Sequence, residues 1–133
     1  MQLKNKVAVV TGGASGLGRS TVEKFTGAGC KVAIFDLNAE AGAELAIELA
    51  GNAIFCEVDV SDDDSIAAGI EATMAAFGAI HICVNCAGRG GGATKTVGRE
   101  GAFPMKLFRD VININLVGTF SVLSQAAEKM SIN

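Results

Sequence analysis

Thr11-Gly12-Gly13-Ala14-Ser15-Gly16-Leu17-Gly18 is the stretch that decides the fold. It follows the β-rich run Val7-Ala8-Val9-Val10. It leads into an amphipathic segment, residues 16–28, where Val22 and Phe25 share a face and Gly29 supplies a stop. A strand that turns through glycines into a helix brings bare backbone amides and the positive end of the helix to one point. Such a point suits a pyrophosphate. Glycine in a tight strand-helix turn can also be a matter of sterics alone, so the reading depends on what surrounds it. No Gly-Lys-Ser or Gly-Lys-Thr follows the glycines, which excludes a P-loop.

Working outward, Lys31-Val32-Ala33-Ile34-Phe35-Asp36 reads as a second strand. Asp36 stands at the spacing expected of an acid that grips a ribose. Its carboxylate can accept both adenosine ribose hydroxyls and would repel a 2′-phosphate, which favours NAD over NADP. The competing reading of Asp36 is a turn-forming residue after a strand. Asn38 suits the N-cap of a helix that buries Leu45 and Leu49 and ends at Gly51. Residues 53–59 form a third strand. Ser61 is expected to cap a helix with Asp62, Asp63 and Asp64 in its first turn and Ile66, Ile70, Met74 and Phe77 at helical spacing, closed by Gly78.

Residues 80–86 read as a fourth strand and residues 88–101 as a loop. Pro104 opens a last helix to about Met130, with Phe108, Val111, Leu123 and Ala127 inward. Strands alternate with helices, and each strand is a nearly continuous apolar run, as when both faces are covered. The expected architecture is therefore α/β: a Rossmann-type doubly wound parallel sheet in strand order 3-2-1-4, truncated after four strands. Residues 1–133 make one unit, the dinucleotide-binding half of a single domain.

Composition agrees. Of 133 residues, 50% are hydrophobic and 19% charged, which fits a folded interior rather than a disordered chain. The net charge of -3 offers no basic surplus for nucleic acid. No apolar run approaches membrane-spanning length and no targeting segment is visible, so a cytoplasmic location is expected. Cys83 and Cys86 form a C-x-x-C, but inside the apolar run Ile80-His81-Ile82-Cys83-Val84-Asn85-Cys86 they read as core residues rather than a redox or zinc pair. His81, the single histidine, reads as a strand residue. No metal site is expected.

Thr-Gly-x-x-x-Gly-x-Gly, here Thr11, Gly12, Gly16 and Gly18, resembles the signature of the short-chain dehydrogenase/reductase family. Three further stretches resemble it in order: Asp59-Val60 after the third strand, Asn85-Cys86-Ala87-Gly88 at the end of the fourth, and Asn115 within Asn113-Ile114-Asn115-Leu116-Val117-Gly118. The resemblance covers essentially the whole chain. It implies that Gly12, Ser15, Gly16, Leu17 and Gly18 cradle the pyrophosphate. It further implies that Asp36 holds the ribose with Leu37 beside the adenine, that Asp59 and Val60 meet the adenine, and that Asn85, Ala87 and Gly88 line the floor. Asn115 is implied to support a proton relay; without the family context it reads as a capping or kink-forming polar residue.

The implied activity is hydride transfer between NAD and a secondary alcohol or ketone. The similarity extends to members acting on a 3-hydroxyacyl-CoA or a hydroxysteroid, so the implied partners are a small molecule of that kind and a second copy in a homo-oligomer. No nucleic-acid or membrane partner is implied. The family's chemistry uses a Ser, a Tyr and a Lys. Their positions fall beyond residue 133, and the 133 residues contain no Tyr. A phenol near pKa 10 depends on that Lys to act at neutral pH. The chain alone is therefore expected to be a fragment without turnover. The alternative is a non-catalytic dinucleotide-binding module, which the glycines and Asp36 serve equally. A methyltransferase would share the glycines and the acid but does not account for Asn85-Cys86-Ala87-Gly88 together with Asn115.

Overall fold

The computed structural model describes residues 2–92 and 94–133. Met1, in the polar opening segment, and Ala93, in the segment read as a loop, lie outside them. Strand β1 (Val7–Thr11) leads into helix α1 (Gly16–Gly27), followed by β2 (Lys31–Asp36), α2 (Ala39–Glu48), β3 (Ala53–Glu57), α3 (Asp63–Phe77) and β4 (Ile82–Asn85). The four strands form a parallel sheet in the order β3-β2-β1-β4, as the alternation requires. Val7 pairs with Lys31 and Thr11 with both Phe35 and Asn85, so the carboxyl ends of the strands finish together on one edge.

Alternate residues of each strand face opposite layers. Val9, Ala33 and Phe35 join Ile66 and Ile70 of α3 and Val122 and Ala126 of the last helix in one core. Ala8, Val10, Val32 and Ile34 join Val22 of α1 and Leu45 of α2 in the other. Helices therefore cover both faces, which is why the strands carry no polar alternation.

Several local expectations are corrected. Asp62, not Ser61, caps α3: its carboxylate accepts from the N–H groups of Asp64 and Ser65. Ser61 instead donates its hydroxyl and its N–H to Asp59. His81 lies just before β4, although it continues the pairing: its N–H donates to the Val7 carbonyl, and its Nδ1 accepts from the Val7 N–H at 3.1 Å. The segment read as a loop holds a short antiparallel pair, β5 (Val97–Gly98) and β6 (Gly101–Ala102).

The last helix is not continuous. It runs as α4 (Met105–Ile112), a wider π-helical stretch (Asn113–Gly118) and α5 (Thr119–Met130), with Pro104 at the cap. Its buried residues in α5 are Val122 and Ala126 rather than Leu123 and Ala127, and Phe108 is half exposed. A π-turn inserts roughly one residue into the helical count, so a uniform 3.6-residue period loses phase across it.

Candidate functional site

The loops after the strands enclose a cleft of about 640 Å³ at the edge where strand order reverses between β1 and β4. Open α/β sheets bind ligands at such a switch point, and sites for small molecules span roughly 300–1,000 Å³. Gly12, Ser15, Gly16, Leu17 and Gly18 line one wall, and Asp36 and Leu37 stand at one end. Asp59, Val60, Ala87 and Gly88 also line the cleft.

The glycines have distinct tasks. Gly12 has φ +63, and a Cβ there would stand 2.9 Å from the Ala87 nitrogen. Gly16 has φ +53, yet a Cβ would meet nothing within 4 Å, so this backbone faces open space. Ser15 adopts an extended conformation before α1, and no side chain caps the first turn. No acid sits in that turn either, so the N–H groups at the helix start remain available to an anion.

Asp36 does structural work as well. Its Oδ2 accepts from the Ala14 N–H at 3.0 Å and its Oδ1 from the Asn38 N–H at 2.9 Å. The carboxylate is thereby aimed from the end of β2 while each oxygen keeps a lone pair for a ligand hydroxyl. Thr11 ties the two strands across the cleft base: its buried Oγ1 accepts from the Ala87 N–H at 3.1 Å, and its carbonyl accepts from Cys86 N–H.

Two expected site residues do not line the cleft. Asn85 is not among the lining residues: its Nδ2 approaches Cys83 Sγ at 3.5 Å, and its Oδ1 is buried without a partner among the described residues. Asn115 sits in the π-helical stretch and clamps the backbone of Arg89, accepting from its N–H at 2.8 Å and donating to its carbonyl at 2.9 Å. It thus positions the strand-end loop rather than facing the cleft.

The structure also adds lining residues that spacing did not single out: Phe35, Val58, Cys86, Arg89 and Ile114. Thr11 was visible as the polar end of an apolar strand, and Arg89 as the cation of a Gly-Arg-Gly run. Cys83 is a free thiol that burial pushes above the ordinary value, and Cys86 is free too. Among the described residues no group of three or more His, Cys, Asp or Glu is placed to hold a metal ion. No helix among them is long and apolar enough to cross a membrane.

A parallel sheet in this order, with a glycine turn at its switch point, defines a Rossmann-type α/β architecture. The short chain dehydrogenase family model matches residues 6–133, and the chain belongs to that family. It is 41% identical to the 3-hydroxyacyl-CoA dehydrogenase type-2 of Drosophila melanogaster over 98% of this chain and 52% of that protein. It is 39% identical to (+)-borneol dehydrogenase 1 of Salvia officinalis over 98% of this chain and 49% of that protein. The crystal structure of 3-hydroxyacyl-CoA dehydrogenase type-2 from Mycobacterium avium superposes with a TM-score of 0.87 at 36% identity, covering 94% of this chain and 48% of that one. The chain spans about half the length of these relatives.

Proposed function

We propose that this chain is the nucleotide-binding half of an NAD-dependent short-chain dehydrogenase. In this reading the parent moves a hydride between NAD and a secondary alcohol or ketone, with a 3-hydroxyacyl-CoA or a hydroxysteroid as substrate. The observation that carries it is Asp36, fixed through both carboxylate oxygens at the end of β2 and facing a cleft whose other wall is the glycine turn.

The residues suit an unphosphorylated adenosine diphosphate group. Gly16 leaves room where a side chain would intrude, and the first turn of α1 offers uncapped amides. Asp36 accepts ribose hydroxyls, while Leu37, Val58 and Val60 supply apolar surface for a base. A 2′-phosphate near Asp36 meets repulsion of about 1 kcal/mol per charge pair at 4 Å in water and about 4 kcal/mol at an effective dielectric of 20. NADPH should therefore bind at least tenfold more weakly than NADH.

Bound in the cleft, NAD would supply the hydride acceptor. The chain's own part is to bind, orient and exclude water through the glycine turn, Asp36 and the floor at Ala87 and Gly88. Asn115 sets the course of the loop at Arg89. The 133 residues hold no Tyr to act as acid or base, so the chain alone should bind without turning over. Calorimetry with NADH and NADPH on the chain and on Asp36→Asn tests the reading. Binding of NADH, with a preference over NADPH that Asp36→Asn diminishes, supports it. No affinity for NADH, a preference for NADPH, or steady turnover by the chain alone would refute it.

A further inference from the structure

The cleft carries one cation among the described residues that line it, and its placement is specific. Arg89 follows Gly88 in the segment after β4 and lines the same cleft as two carboxylates, Asp36 and Asp59. The other arginine near the glycine turn, Arg19, is engaged elsewhere: its Nε pairs with Glu23 at 2.8 Å and its Nη2 with Glu48 at 3.1 Å. The Arg89 backbone is held at both its N–H and its carbonyl by Asn115. Its guanidinium, by contrast, has a single ionic partner among the described residues, Asp110, at 3.7 Å. That separation is too long for a hydrogen bond.

Asp110 does not depend on Arg89. The same Oδ2 accepts from Lys106 Nζ at 2.7 Å. The carboxyl is held below the ordinary value first by that hydrogen bond, with Arg89 the smallest contributor. Arg89 is thus a half-exposed, cleft-lining cation whose backbone is held at two points, with a loose tether to a carboxylate already neutralised by another residue.

We infer that Arg89 is a binding residue for the pyrophosphate of the dinucleotide, and that Asp110 competes for it as a tether when the cleft is empty. The inference rests on the proposed nucleotide reading and extends it. The glycine turn offers neutral amides, whereas a guanidinium supplies full charge and a planar fork suited to phosphate oxygens. Asp110 opposes binding only by holding the guanidinium, so its removal acts in the opposite direction from the loss of Arg89. No shape argument about the glycines produces that pair of signs.

The test measures NADH, ADP and adenosine binding to the full chain and to Arg89→Leu, Arg89→Lys and Asp110→Asn, at low and moderate salt. NADH and ADP are followed by calorimetry and adenosine by NMR titration, with circular dichroism on each variant to confirm folding. Arg89→Leu should weaken NADH and ADP about tenfold at low salt and leave adenosine unchanged, because charged hydrogen bonds are worth about that much. Its affinity should also depend less on salt. Arg89→Lys should restore part of the loss, and Asp110→Asn should tighten NADH by about twofold to threefold. Equal NADH affinity in Arg89→Leu, or an equal loss for adenosine, overturns the role of Arg89 while leaving the nucleotide reading intact. Absence of NADH binding by the unaltered chain overturns both.

Discussion

Gly18→Ala should destabilise the chain, although it replaces glycine by the best helix former inside a helix. In an open helix the exchange stabilises by about 1 kcal/mol. Here the new Cβ would be driven into the carbonyl oxygen of Gly12, with the Gly12 carbonyl carbon at 2.6 Å and the Gly13 Cα at 3.0 Å. All three atoms are backbone, so no side chain can rotate to relieve the contact. The turn or the helix must shift. Overpacking of this kind costs about 1–3 kcal/mol, and a backbone obstacle belongs at the upper end. The balance is a loss of about 2 kcal/mol. At about 4 °C per kcal/mol for a chain of this size, Tm should fall by about 8 °C. Gly27→Ala, in the last turn of the same helix, is the control. A Cβ there meets nothing within 4 Å, so Tm should rise by about 2–4 °C. Scanning calorimetry on the two variants decides the matter. A Gly18→Ala chain as stable as its parent would show that the close approach of α1 to the glycine turn is not a constraint.

Thr11→Val should lower the urea midpoint by the equivalent of about 1–3 kcal/mol, because it leaves the Ala87 N–H without its acceptor, while Thr11→Ser should retain most of the stability. Asn115→Ala removes both bonds to the Arg89 backbone, and native-state hydrogen exchange should show the Arg89 amide losing its protection; an unchanged rate would count against the clamp. Burial raises the Cys30, Cys56 and Cys83 thiols above their ordinary value. The neutral thiol is therefore favoured in the fold: its contribution to stability is complete below the ordinary thiol value and is lost as pH rises through the raised one. Urea midpoints should decline in that alkaline range, and a Cys56→Ala, Cys83→Ala double variant should decline less. Alkylation of these thiols at neutral pH should be slower than in the urea-unfolded chain.

The sheet was legible because the strands are short apolar runs separated by helices with their own stops. Gly29, Gly51 and Gly78 all adopt the positive φ that their reading as helix stops demands. The glycine turn and Asp36 were legible for a related reason: their chemistry depends on spacing along two consecutive strands. What spacing could not reveal was rotation and direction. The π-helical stretch around Asn115 shifts the buried face of α5 by one residue, onto Val122 and Ala126. Asn85 and Asn115 lie in the expected segments, yet one keeps a buried oxygen without a partner among the described residues and the other grips backbone. Ser61 and Asp62 are both good caps, and only the Asx geometry of the turn at Asp59 hands the task to Asp62.

The site divides along the sheet. The end at Asp36 is assembled by β1, β2 and the segment after β3: the Ala14 N–H donates to the Asp36 carboxylate, and the Val58 N–H donates to the Asp36 carbonyl. Its other end follows β4, an edge strand of this sheet, in which Asn85, outside the cleft lining, keeps a buried acceptor unpaired among the described residues. An unmet acceptor costs about 1–3 kcal/mol, and an apolar residue of similar size would avoid that cost. Stability of these 133 residues therefore does not explain an asparagine there. Among the described residues no buried side-chain nitrogen or oxygen other than Asn85 Oδ1 lacks a partner. In the proposed reading Asp36 selects the nucleotide from the end of β2, and Arg89 neutralises its pyrophosphate from the segment after β4.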